Sequence, residues 1–328
     1  MTRHAAPEGA LTAAAARRAG GARRITFPLV GAGGEPVDLR RTFLSHGVAT
    51  LPPMRLDRER WAFEVTVALD GARPRTVTIG AGEDGHGVAV VAGANVGPRV
   101  VEGVRAAIVR ILRLDEDLSE FYARASADPE LAWAASGAGR MIRSQTVFEE
   151  IVKTVCTTNC AWSATVRMVG ALVEHLGAPA VGAPPSGPLG RAFPTPEAMA
   201  AAGDDFYRDV VRAGYRGRYF IELAESVASG RLDLEALGRA SPDEVPDDEL
   251  ETRLLALPGV GPYAAAHVML MLGRYSRLIL DSWTRPTYVQ LTGGRPKKDA
   301  TIVRRFRRYG SYAGLAFWLF LTRDWVED

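Results

Sequence analysis

Four groups of side chains in this chain have the types and spacing to do chemistry. The first is Asp281, a carboxylate that ends the apolar run Leu278-Ile279-Leu280 just before a helical pattern. An aspartate there is a good helix N-cap, and on one reading it only caps. On the other it is a functional anion, kept ionised by the helix dipole and the backbone amides. The second group, upstream of it, is Leu257-Pro258-Gly259-Val260-Gly261. It lies between two apolar-periodic segments (Leu250, Leu254, Leu255, then Ala264, Ala265, Val268, Met269, Leu272) and reads as a tight hairpin between two helices. Gly259 and Gly261 can take positive φ and admit a close approach, while the amides that open the second helix face outward with its positive dipole end. Such a turn is an anion site that a phosphodiester fits. Third, Tyr263, His267 and Met271 fall at i, i+4 and i+8 of that second helix and share one face. Fourth, Gly214-Tyr215-Arg216-Gly217-Arg218-Tyr219 sets aromatic rings beside guanidinium groups. That combination suits stacking on bases together with pairing to phosphates, the plain alternative being a surface turn with a packing tyrosine.

The elements that must position these groups follow from composition and pattern. A chain of 328 residues, 47% hydrophobic and 24% charged, is ordinary for a soluble globular enzyme and long enough for more than one domain. The net charge of +2 confines any nucleic-acid surface to a local patch. No apolar run approaches the roughly 18 residues of a membrane span, and the N-terminus lacks a continuous apolar signal core, so the expected location is the cytoplasm, at the nucleoid in a bacterium. Residues 1–24, rich in Ala, Gly and Arg, read as a flexible basic tail. From Ile25 to about Val100, short β-rich pieces (Ile25 to Val30, Trp61 to Ala68, Arg75 to Ile79, Val88 to Val91) are broken by Gly and Pro, and Asp70-Gly71 is a hairpin signal. Pro98 to Leu114 then has helical spacing and would cover one sheet face. The predicted fold class is α+β. A small N-terminal antiparallel sheet domain with its covering helix occupies 25–114, followed by a mostly α-helical two-lobed domain over 115–328 that contains the helix-hairpin-helix at 247–273.

Within the helical part, Phe148 to Leu176 predicts a helix pair, or one helix interrupted at Cys156-Thr157-Thr158-Asn159-Cys160. Polar groups inside an apolar run are costly unless partnered, so this interruption is either a functional surface or a helix start capped by Thr157 or Thr158. With only two cysteines the chain has no all-cysteine iron-sulfur cluster, and their spacing without further soft ligands gives no metal site. Pro179 to Pro196 reads as a loop, and Thr195-Pro196 as a helix start. Arg295, Lys297, Lys298, Arg304, Arg305, Arg307 and Arg308 form the densest basic stretch, either a phosphate surface or a solvated helix face. The apolar helix that follows carries Trp318, either core or a face for a cationic ring.

The hairpin, Asp281 beyond it, the Gly214 to Tyr219 cluster and the last helix stand in an order that resembles the helix-hairpin-helix DNA glycosylase superfamily. The resemblance covers roughly residues 40 to 325, and the sheet domain makes it similar to the 3-methyladenine DNA glycosylase II and 8-oxoguanine DNA glycosylase branches. It implies a DNA-binding role for Gly259, Val260 and Gly261 on the phosphate backbone, and for Asn159 and Cys160 in the gap left by an extruded nucleotide. Tyr215 becomes a wedge and Arg216 a reader of the partner base. Asp281 becomes the catalytic residue, and Tyr263, His267, Met271 and Trp318 the base pocket, where His267 would donate to the base or sense pH. Backbone carbonyls of Leu255, Leu257 and Val260 would hold a sodium or potassium ion, with no cofactor needed for catalysis. Lyase members carry a lysine where this chain has Tyr263, and a phenol cannot form an imine. The resemblance thus implies a monofunctional DNA glycosylase, a monomer acting on double-stranded DNA, that hydrolyses the glycosidic bond of a damaged, alkylated purine. The alternatives are an 8-oxoguanine or mismatch thymine/uracil glycosylase, or an inactive damage-binding protein.

Overall fold

Alternating apolar residues build the sheet. In a computed structural model that describes residues 21–326, five strands pair antiparallel in the order β1-β5-β4-β3-β2. They are β1 (Ala22–Pro28), β2 (Met54–Asp57), β3 (Ala62–Leu69), β4 (Ala72–Ala81) and β5 (His86–Ala92). Phe63, Val65 and Val67 of β3 face the core, and in register with them Val77 and Ile79 do the same from β4. The opposite face carries the Thr66 and Thr76 hydroxyls, 3.1 Å apart. Asp70-Gly71 closes the β3–β4 hairpin, with Gly71 at φ 64 as the turn requires. Helix α1 (Pro98–Leu112) covers the core face with Val104, Ala107, Ile108, Ile111 and Leu112. Strand β1 begins at Ala22, so residues 22–24 pair with β5 and are not tail, a correction to the 1–24 boundary. Residues 1–20 of that expected tail lie outside the described residues. Strand β2, too short and too polar to show a period, was not expected.

The helices that shape the site are α2 (Val147–Thr157), α3 (Trp162–Leu176), α4 (Arg216–Ala228), α5 (Asp247–Leu255), α6 (Pro262–Met271), α7 (Thr284–Thr292), α8 (Asp299–Phe306) and α9 (Ala313–Thr322). The 148–176 stretch is therefore a helix pair. Thr195 caps the short helix at Pro196–Ala200 by accepting from Ala198 N. Two apolar cores sit side by side. One joins α2 to α5, and the other joins residues around 118–141 to α7, α8 and α9. Helix α6 is apolar on every side because it serves both: Ala264, Ala265, Val268 and Met269 belong to the first core, Ala266, Leu270 and Met271 to the second. Tyr263, at its start, packs against both. Among the described residues no helix is long and apolar enough to cross a membrane.

Candidate active site

The turn between α5 and α6 follows from its glycines. Leu257 N donates to Leu254 O at 3.0 Å and Val260 N to Leu257 O at 3.1 Å, which folds the chain back on itself. Gly259 sits at φ 77, and a Cβ there would lie 2.7 Å from the Tyr219 ring. Only glycine fits that place. Gly261 departs from the expectation of positive φ: it is the extended N-cap of α6 at φ −100, ψ −176. An added Cβ at Gly261 would meet no protein atom within 4 Å, so this glycine leaves space open to the outside. Pro262 at the first helical position has no amide to satisfy, and the start of α6 presents its dipole to that space.

Asp281 starts α7. Its Oδ1 accepts from Trp283 N at 2.8 Å and Thr284 N at 2.7 Å, and Asp281 O accepts from Arg285 N at 3.4 Å. The carboxylate is half-buried and no hydrogen bond engages Oδ2.

A cleft of about 710 Å³ joins these two features. Gly259, Val260, Gly261 and Tyr263 line one part, Leu280, Asp281 and Ser282 another, and Thr157, Thr158, Asn159, Cys160, Tyr215 and Tyr219 the facing wall. The facing wall is the turn between α2 and α3. Thr157 and Thr158 hydroxyls donate back to Thr154 O and Val155 O and so close the end of α2, rather than capping the start of α3. Asn159 takes φ 47, a left-handed conformation that asparagine tolerates, and its Nδ2 donates to Tyr215 Oη at 3.4 Å. Cys160 Sγ donates to Cys156 O at 3.2 Å, and Cys156 is buried. Tyr215 is 53% exposed and its side chain lines the cleft.

Tyr263 Oη lies 3.2 Å from Thr157 Oγ1, bridging the two walls. Burial raises the pKa of this phenol, with the Asp281 charge adding to the rise, so it is neutral at physiological pH. The remaining expected site residues stand elsewhere. Arg216 is turned inward: it is buried, its guanidinium donates to Thr158 O, and it stacks 4.6 Å from the Tyr215 ring. In this arrangement it ties the Tyr215 ring to the 158–160 turn. His267 lies one turn behind Tyr263, buried, with a pKa pushed down to about 4 by burial and then by His46. It is neutral at pH 7, which corrects the expectation of a sensor near neutrality. Met271 is fully buried in the second core and lines no part of the cleft. Trp318 is buried as well. Its Nε1 donates to Ser45 O at 2.6 Å and its ring packs 5.6 Å from Trp283.

The basic stretch divides. Arg305 pairs with Glu130 and Arg308 with Asp128, which makes them structural, whereas Arg295, Lys297, Lys298, Arg304 and Arg307 stay exposed. The Leu257 carbonyl, one of the three expected at an alkali ion, already accepts from Val260 N. Residues that the sequence did not single out include His46, Trp283 and the Thr157 bridge to Tyr263. Trp283 stands beside Asp281, and Thr157 and Tyr263 each belong to a stretch the sequence marked, but their contact with one another and the place of His46 had no signal along the chain. A second cavity of about 400 Å³, lined by Phe148, Phe193 and Leu234 among others, shares no residue with the cleft.

No family model matches the chain, and no curated protein does. Solved structures do. A 3-methyladenine DNA glycosylase from Archaeoglobus fulgidus is 22% identical, with 93% of this chain and 99% of that one covered at a TM-score of 0.68. MBOgg1 in complex with a low-affinity DNA ligand is 20% identical, with 92% and 96% covered at 0.68. An 8-oxoguanine glycosylase/lyase of Clostridium acetobutylicum is 21% identical, with 88% and 94% covered at 0.65. These neighbours are helix-hairpin-helix DNA glycosylases, and this chain has their fold.

Proposed function

We propose that the chain is a monofunctional DNA glycosylase that hydrolyses the N-glycosidic bond of an extruded, alkylated purine through Asp281. The observation that carries this reading is the cleft itself. One wall joins an open glycine turn at a helix start to a carboxylate with one uncommitted oxygen, and the other offers an exposed tyrosine beside Asn159 and Cys160. The turn suits a phosphate: Gly261 admits its close approach and the α6 dipole favours its charge. The opposite wall suits an unstacked duplex, with Tyr215, Asn159 and Cys160 taking the place of an extruded nucleotide.

Departure of the base leaves positive charge on the sugar. Asp281 Oδ2 stabilises that charge and orients the attacking water, while Oδ1 is held by two amides and cannot swing away. Strand cleavage through an imine needs an amine. The chain has three lysines. Lys153 is buried and ion-paired with Glu149 at 2.6 Å, and Lys297 and Lys298 lie beyond α7, so none lines the cleft. Tyr263, at the cleft, is a neutral phenol. Carbonyls of Leu255, Leu257 and Val260, hard oxygen donors, would suit a sodium or potassium ion at the hairpin.

The test is base release from duplexes carrying 3-methyladenine, 7-methylguanine, hypoxanthine, 8-oxoguanine, uracil or mismatched thymine, with wild type and Asp281→Asn read with and without alkali. Release of an alkylated purine that depends on Asp281 and nicks only with alkali is the expected result. Release of 8-oxoguanine or thymine instead reassigns the substrate. No release, with retained affinity for abasic DNA, makes the chain a damage-binding protein.

A further inference from the structure

The basic stretch that follows α7 is left without counter-ions. Elsewhere on the surface, exposed arginines pair with carboxylates of their own helix, as Arg124 does with Glu120, Arg208 with Asp205 and Asp209, and Arg253 with Glu249. Beside the stretch, Arg285 pairs with Asp299, Arg305 with Glu130 and Arg308 with Asp128. Arg295, Lys297, Lys298, Arg304 and Arg307 are exposed, and among the described residues none of them has a carboxylate partner. The run from 293 to 308 contains a single carboxylate, Asp299, and Arg285 Nε and Nη2 hold both of its oxygens at 2.8 Å.

An ordinary solvated face does not account for this. Such faces mix signs, because like charges close together repel. Arg304 and Arg307, at the C-terminal end of α8, suit its dipole. Lys297 and Lys298 oppose it: Lys298 is the N-cap, makes no capping hydrogen bond through its side chain, and sets positive charge at the positive end of the helix. Their charge works against the folded chain, and an anion brought from outside reverses that sign.

The stretch is also tied to the helix that Asp281 starts. Arg285, in the first turn of α7, carries Asp299 at the start of α8. Further along, Arg305 Nη1 donates to Tyr288 Oη at 3.1 Å and the Phe306 ring meets the Tyr288 ring at 6.5 Å, so α8 packs against α7. Gly293 ends α7 at φ 62, and residues 294–298 return from its last turn to its first. The nine residues of α7 span about 13 Å, over which one strand of duplex carries on the order of four phosphates. The hairpin shares the cleft with Asp281 at one end of this path, and the basic residues lie along the rest of it.

We propose that Arg295, Lys297, Lys298, Arg304 and Arg307 form a second DNA-binding surface outside the cleft, a track for backbone phosphates of the duplex that flanks the lesion. Cations on flexible stems meet phosphates and read no bases, so the track takes DNA of any sequence, damaged or not. This inference rests on the DNA-binding part of the reading above and is independent of its chemistry.

The test is the salt dependence of binding to an undamaged duplex, followed by fluorescence anisotropy between about 50 and 200 mM salt. Wild type is compared with Arg295→Gln/Lys297→Gln/Lys298→Gln and with Arg58→Gln/Arg73→Gln/Arg99→Gln, which removes as many exposed charges from the sheet domain. The first variant is expected to bind at least about tenfold more weakly at low salt, with a slope of log K against log salt shallower by about 0.9 for each cation removed. The second is expected to keep the wild-type slope. A wild-type slope in the first variant overturns the inference, and so does an equal loss in both, which would mean that bulk charge alone acts. The first variant is also expected to melt no lower than wild type, and a lower melting temperature would return these cations to a structural role. Base release does not enter this measurement. No release with the expected slopes ends the glycosylase reading and keeps the track, whereas release with an unchanged slope does the reverse.

Discussion

Asp281 and Thr284 hold each other. Thr284 Oγ1 accepts from Asp281 N at 2.8 Å while Thr284 N donates to Asp281 Oδ1 at 2.7 Å, and Thr284 is fully buried. This reciprocal cap fixes the carboxylate at the mouth of the cleft through one oxygen only. Asp281 thus caps the helix, one of the two readings open in the sequence, and capping through Oδ1 leaves Oδ2 uncommitted.

Asp281→Asn should separate the two roles. Asparagine caps a helix as well as aspartate, so the melting temperature should stay within the equivalent of about 0.5 kcal/mol. Base release should fall by about 10²- to 10³-fold, because the anion is gone from the site where positive charge develops. Thermal melts and single-turnover release on the same preparation check both. Retained activity would remove Asp281 from the chemistry.

The two glycines of the hairpin should respond differently. Gly259→Ala puts a methyl 2.7 Å from the Tyr219 ring at φ 77, and should cost about 1–3 kcal/mol of stability. Gly261→Val adds bulk where no protein atom stands within 4 Å, so stability should hold while affinity for abasic-site DNA at low salt drops. Denaturant melts and fluorescence anisotropy distinguish them, and unchanged binding in Gly261→Val would count against phosphate at this turn.

Borohydride added to the protein on abasic-site DNA should trap no covalent adduct, since no lysine reaches the cleft. A trapped band on a denaturing gel, mapped to any lysine, would replace the hydrolytic mechanism with a lyase one.

Acid should destabilise the protein through His267. Its pKa is about 4 in the folded chain against 6.5 for the ordinary side chain. The unfolded chain takes up the proton first. Stability is therefore complete above about pH 6.5 and declines as pH falls toward 4, by about 3 kcal/mol for this group. His46, lowered by burial, adds in the same direction. His267→Leu should show a shallower decline in urea midpoint between pH 7 and pH 4.5, and a slope equal to wild type would mean the imidazole is not held neutral by burial.

Local signals made much of this molecule legible in its sequence. The alternation in Trp61 to Ala68 and the Asp70-Gly71 turn gave the sheet, the glycine turn at 257–261 the paired helices, and the carboxylate at a helix start the position of Asp281. Each depends on nearest neighbours along the chain, through backbone conformation and hydrophobic period. Which helix face looks into the cleft depends on how helices pack, and the sequence does not carry that directly. Tyr263, His267 and Met271 share one face of α6, yet only Tyr263 reaches the cleft, because α6 is wedged between two cores that cover everything beyond its first turn. Arg216 is turned inward by a carbonyl at Thr158, far from it in sequence. His46 came to lie against His267 for the same reason: a segment from the N-terminal part of the chain fills the space behind the site, and only the packed structure brings the two imidazoles together.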